Sequence, residues 1–158
     1  MTTTVMSASD ASLENSKNLA LSATATASSE TEFGLAANVN DGVVGGVVEG
    51  GIPNVPSNEW VSDGESNGAW VKLTWDTPQE ISQVVLYDRL NTLDQLTGGV
   101  LVFSDGSFMR FNGLKNTGAA KSLAFDTKTV DSVTVQLTVV SKKTIAAGLA
   151  EIAVYGPE

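Results

Sequence analysis

From Asn18 onward the chain breaks into short runs of alternating apolar and polar residues, separated by Gly, Asn, Asp and Pro. In AWVKLTWD, Val71, Leu73 and Trp75 share one face while Trp70, Lys72 and Thr74 share the other, which predicts a half-buried strand. EISQVVLYD predicts a second strand, with Ile81, Val85 and Tyr87 on one face. GGVLVFSDGSFMRFNG reads as a hairpin closing at Asp105-Gly106, a dipeptide that tolerates positive φ. With LALSATATASS, KSLAFD, SVTVQLTVVS and GLAEIAVYG, the pattern predicts at least eight short strands. No segment carries the period of a long amphipathic helix, and there is no internal repeat. The expected fold class is therefore all-β, a sandwich or barrel of antiparallel strands.

The first 17 residues are rich in Ser, Thr, Ala and Asn without periodicity, so residues 1–17 are expected to form a flexible linker or tail before a domain at 18–158. They lack the basic and apolar regions of a signal peptide, which suits a module cut from a larger multidomain protein. Two connections are long for this class. Residues 42–58 hold five of the fifteen glycines and two of the four prolines, and residues 88–99 mix polar and apolar positions. Long loops on a sheet scaffold are where binding residues concentrate.

Composition narrows the function. A net charge of −9 disfavours a phosphate backbone and an anionic lipid surface as partners. No apolar run reaches the roughly 18 residues of a membrane span. The chain has neither Cys nor His, so it cannot supply a thiol nucleophile, a zinc-thiolate centre or a Ser-His-Asp triad. Carboxylate pairs such as Asp63 with Glu65, or Asp88 with Asp94, are nominal acid–base candidates, but their spacing does not separate them from solvated loop acids. The chain is read as non-enzymatic.

The order of NLALSATATASSE, AANVNDG, NEWVSDG, AWVKLTWD, ISQVVLYDR, GGVLVFSDGS and GLAEIAVYG resembles the discoidin-like, or coagulation-factor type C, domains of the galactose-binding-like superfamily. The resemblance runs from about residue 18 to 156. It implies an eight-stranded antiparallel jelly-roll-like β-sandwich, of the kind that serves as a carbohydrate-binding module in secreted or cell-surface proteins. It further implies binding through loops at one end, at residues 29–34, 48–59, 88–96 and 141–147.

By the same resemblance, Arg89 matches an arginine that contacts sugar, and Glu30 or Glu32 matches a loop acid. Asn91 and Asp94 lie on the Arg89 loop and add acceptors, Trp60 matches a tryptophan under the binding loops, and Phe33 is the best-placed aromatic for stacking on a ring. The alternatives are a structural ion pair of Arg89 with Asp88, Asp94 or Glu59, and an ordinary packed loop side chain for Phe33. Sugar contact by Arg89 implies an Arg89→Ala variant with an unchanged melting temperature. The resemblance also implies a structural calcium held by Asp41 and Glu151, with carbonyls from Asn38, residues 44–46 and Ala150, an oxygen set suited to Ca²⁺. Against it stands Asp41 as a turn cap and Glu151 in a surface ion pair. A protein-interaction module, with an apolar patch at Ile52, Val55 and Leu90, or a spacer domain are the competing functions.

Overall fold

A computed structural model describes residues 17–44, 58–89, 94–115 and 119–157. Eight strands follow in chain order: β1 (Thr24–Ala27), β2 (Trp60–Val61), β3 (Trp70–Tyr87), β4 (Leu96–Phe103), β5 (Phe108–Asn112), β6 (Ala120–Val140), β7 (Gly148–Leu149) and β8 (Glu151–Tyr155). The expected tail, most of the glycine-rich loop, and Ile52, Val55, Leu90 and Asn91 lie outside the described residues.

The segments AWVKLTWD and EISQVVLYD are not separate strands. They are the two halves of β3, and KSLAFD and SVTVQLTVVS are likewise the two halves of β6. Both long strands bend where their mutual register breaks. Thr74 pairs Ser132 and Gln79 pairs Val130, so Trp75–Pro78 of β3 stand opposite Asp131 alone. Pro78 has no N–H to give to a ladder, which suits it to such a break.

The first half of β3 and the second half of β6 join β1, β4 and β5 in the order β1-β3-β6-β4-β5. The second half of β3 pairs β8 on one side and the first half of β6 on the other. The result is a five-stranded and a three-stranded layer joined at the two bent strands, and β2 pairs β7 separately.

One apolar cluster fills the space between the layers. Val71, Leu73, Leu101, Phe103, Val133, Val135 and Leu137 enter it from the larger sheet, and Ile81, Val84, Leu86, Leu123, Ile152 and Val154 from the smaller. Trp75 packs into the same cluster and donates its indole N–H to the Leu19 carbonyl at 2.8 Å, so its polar edge is satisfied. The hairpin turns as expected, with Gly106 at φ 89°.

The face expected for the second half of β3 needs correction. Ile81 is in the cluster, but Val84 and Leu86, not Val85 and Tyr87, are its companions. The change of phase falls at a second register shift between Ile81 and Gln83, where Ser82 of β3 stands opposite three residues of β6, and such an irregularity locally breaks the period-two alternation. We expect Leu86→Ala to cost about 2–5 kcal/mol while Ser82→Ala stays within about 0.5 kcal/mol, read from urea-denaturation midpoints.

Candidate functional site at the loop end

The centre of the loop end is a buried guanidinium. Arg89, 7% exposed, directly follows β3 and Asp88. Its Nε donates to Glu59 Oε1 at 2.9 Å, its Nη1 donates to the Ala146 carbonyl at 2.9 Å, and Asp94 Oδ2 lies 3.6 Å from Nη1. Asp94 Oδ1 in turn accepts the backbone N–H groups of Ile145 and Ala146 at 2.8 and 3.3 Å. One cation thus joins the segment before β2, the segment before β4 and the loop before β7. Gly148 makes the approach possible: a Cβ there would lie 2.0 Å from the Trp60 carbonyl oxygen and 3.1 Å from Arg89 Cδ.

The loop at 29–34 is tied to this centre. Trp60, fully buried, donates its indole N–H to the Ser29 carbonyl at 2.9 Å. Asn38 Nδ2 donates to the carbonyls of both Phe33 and Glu59, at 3.1 and 3.2 Å. Glu30 Oε2 accepts the Ala36 N–H at 2.7 Å, and Ser29 Oγ donates to Glu65 Oε1. Thr31 N–H donates to the Val61 carbonyl, and Val61 N–H to that of Gly34. What faces outward is different in kind: Phe33 is 65% exposed and Ile145 72%, with Glu32 and Asp63 also exposed.

These placements sort the expected ligand residues. Glu30, Phe33, Trp60, Arg89 and Asp94 are linked at one end of the fold, whereas Asn91 falls outside the described residues. Trp60, expected under the binding loops, lies buried beneath them as a support, since no part of its ring reaches the surface; it does not touch a ligand directly. Arg89 and Asp94 are likewise a buried frame, and the expectation that Arg89 can be removed without loss of stability is withdrawn on the same ground. Both Glu59 and Ile145 fall within the expected loop ranges, but the sequence singled out Glu59 only as an ion-pair partner and Ile145 not at all. Glu59 stood beside Trp60 in NEW, and an isolated apolar residue in KKTIAAG was the only signal for Ile145.

Asp88 is a second buried acid. Its Oδ1 accepts the Arg89 N–H at 2.8 Å, while Oδ2 has no partner. Burial pushes its carboxyl up to about 7, against the hydrogen bonds from Arg89 and Leu96 that favour the anion.

The opposite charge arrangement occurs at Asp41 and Glu151. Glu151 is 2% exposed, pairs with no base among the described residues, and has Oε1 without a partner. Its Oε2 accepts the Gly42 N–H at 2.8 Å. Burial, with the neighbouring Asp41 carboxylate adding to it, pushes the Glu151 carboxyl up to about 9. The surface ion pair considered for Glu151 is therefore absent, whereas Asp41 does cap a turn, accepting the Val43 N–H at 2.8 Å. An orphaned buried oxygen beside a second carboxylate fits a hard divalent cation, with the remaining ligands from carbonyls. Among the described residues no third acid joins the pair. Asn38 uses its side-chain amide to bond two carbonyls of the loop end, which leaves its own carbonyl as the expected ligand; Ala150 precedes Glu151 in the chain, and residues 45–46 are outside the described set.

The sequence pattern of the family described as "Domain of unknown function (DUF7402)" matches residues 18–155, and the chain belongs to that family. By sequence, no curated protein matches it. Among solved structures, the lectin domain of lectinolysin complexed with Lewis b antigen is similar with a TM-score of 0.72 at 22% identity, over 90% of this chain and 98% of that one. A Streptococcus pneumoniae fucose-binding module gives a TM-score of 0.72 at 18% identity, over 91% and 98%. CpGH89CBM32-5 from Clostridium perfringens, in complex with GalNAc-β-1,3-galactose, gives 0.69 at 19%, over 89% and 100%. The shared fold is the galactose-binding-like β-sandwich, as the sequence resemblance implied.

Arg89→Ala leaves the carboxylates of Glu59 and Asp94 buried beside an empty site, and should cost about 3–5 kcal/mol in chemical denaturation. For Asp88, the folded-state carboxyl titrates above its ordinary 3.8. Its contribution to stability is complete below that value and is lost as pH rises through about 7. The stability of Asp88→Asn relative to wild type should therefore rise between pH 4 and pH 7 and then level off, measured by thermal melts across that range.

Proposed function

We propose that this member of the DUF7402 family is a non-catalytic carbohydrate-binding module, engaging glycan through the loop end of the sandwich. The observation that carries the reading is the contrast within that end: a buried frame, in which Arg89 bonds Glu59 and faces Asp94 while Trp60 bonds the Ser29 carbonyl, under an exposed rim of Glu32, Phe33 and Ile145. A frame fixed before binding lowers the ordering cost for a weak ligand. An exposed aromatic accepts the C–H face of a pyranose, and the adjacent acid accepts its hydroxyls. The likeness in fold to lectin and fucose-binding domains supports the same assignment.

A structural calcium belongs to this reading, held by Asp41 and Glu151 with neighbouring carbonyls. When bound, the cation would supply the positive charge that the two carboxylates lack. Asp41 and Glu151 would then fasten the loop after Asn40 to the start of β8. Non-enzymatic action suits the loop-end acids, since Glu65 is engaged by Ser29 and Asp94 by the Ile145 and Ala146 N–H groups. A secreted or cell-surface setting within a larger protein suits a module of modest affinity, whose retention grows with multivalency. No helix among the described residues is long and apolar enough to cross a membrane.

A glycan-array and polysaccharide retention screen tests the assignment. Retention on a defined glycan, lost in Phe33→Ala without a change in melting temperature, is the expected result; no retention on any glycan contradicts it. The metal is tested apart from the sugar. Calcium should stabilise wild type by RT ln(1 + [Ca²⁺]/Kd), about 2.7 kcal/mol at a hundredfold excess over Kd, and so raise its melting temperature. It should do nothing to Glu151→Gln.

A further inference from the structure

The outer face of the five-stranded sheet carries two cross-strand rows. Trp70 is opposite Gln136, Gln136 opposite Val100, and Val100 opposite Arg110. One pleat along, Thr26, Lys72, Thr134, Val102 and Phe108 form a row across all five strands. These residues alternate with buried Val71, Leu73, Leu101, Phe103, Val133 and Val135, so they point away from the core. At about 4.8 Å per strand, the first row spans roughly 14 Å from Trp70 to Arg110.

The face is chemically unlike the rest of the protein. Eighteen acidic residues give the chain its net charge of −9, yet neither row contains a carboxylate. Lys72 and Arg110 stand at opposite corners, and among the described residues neither forms an ion pair, since the ion pairs there are those of Arg89. Trp70 and Phe108 occupy the other corners. Phe108 is 58% exposed, with the Arg110 guanidinium 5.3 Å from its ring centre.

Two open depressions lie along the rows. One of about 240 Å³ is lined by Trp70, Lys72, Thr134 and Gln136. The other, of about 360 Å³, is lined by Val100, Arg110, Asn112 and Thr138 among others. Gly99 lines it as well.

We propose that this face is a second glycan site, separate from the loop end, for an acidic polysaccharide carrying carboxylates along its chain. Trp70 and Phe108 offer flat apolar surfaces to pyranose C–H faces. Lys72 and Arg110 pair with uronate carboxylates, and Gln136 and Thr134 between them bond hydroxyls. The charge of the rest of the molecule is screened beyond about 8 Å at physiological ionic strength, so the local cations decide the preference. The inference stands independently of sugar binding at the loops.

The test is affinity electrophoresis of the full chain in gels containing polygalacturonate, hydroxyethyl cellulose or single-stranded DNA. The expected result is retardation by polygalacturonate alone, weakening with added salt. A Lys72→Gln/Arg110→Gln double variant should bind about tenfold more weakly, the loss appropriate to two exposed charge contacts. Trp70→Ala should weaken it as well, with both variants melting like wild type, while Phe33→Ala at the loop end keeps full retardation. Three outcomes would overturn the proposal: no retardation by polygalacturonate, undiminished retardation of the double variant, or equal retardation by DNA, which would mark a generic polyanion patch.

Discussion

The loop end depends on one desolvated cation. Arg89 joins segments 30 residues before it and 57 residues after it through Glu59 and the Ala146 carbonyl. A buried carboxylate without such a partner carries a large desolvation penalty, and a buried guanidinium is no better alone. The network therefore holds as a unit or not at all. It fixes the loops in space, and fixed loops are what allow Glu32, Phe33 and Ile145 to present a defined surface. Hydrophobic burial makes the sandwich, but it does not aim its loops; the ion network does.

The strands were readable because half-buried antiparallel strands repeat every second residue, and AWVKLTWD shows that repeat without interruption through Trp75. The joining of β3 and β6 across both layers was not readable. An irregularity in pairing leaves no necessary mark in composition, and the one beyond Ile81 puts its extra residues on β6, so the phase there was expected wrongly. The resemblance located Arg89, Asp41 and Glu151, but whether each is buried depends on partners far away in sequence. Trp60 shows the same limit. Its aromatic character suited both platform and support, and only the Ser29 carbonyl at its indole N–H and the lack of exposed surface distinguish the two. The rows on the sheet face were invisible for a further reason, since they exist only once the registers of five strands are known.

Three charge environments result in one acidic chain. At the loop end, a buried base neutralises buried acids. At Glu151, two acids meet without a base, and the carboxyl is held protonated unless a cation is present. On the sheet face, two bases stand without acids. The two buried sites have a cause in packing: Gly148 lets Arg89 approach Trp60, and the start of β8 buries Glu151.

The most direct test of the loop-end account is an amide NMR titration of the isotope-labelled chain with a soluble oligosaccharide of the retained glycan. The account predicts saturable shift changes at Glu32, Phe33 and Ile145, with Trp60 and Arg89 shifting little because their frame is formed before the sugar arrives. Unchanged Glu32, Phe33 and Ile145 amides at saturation would contradict it.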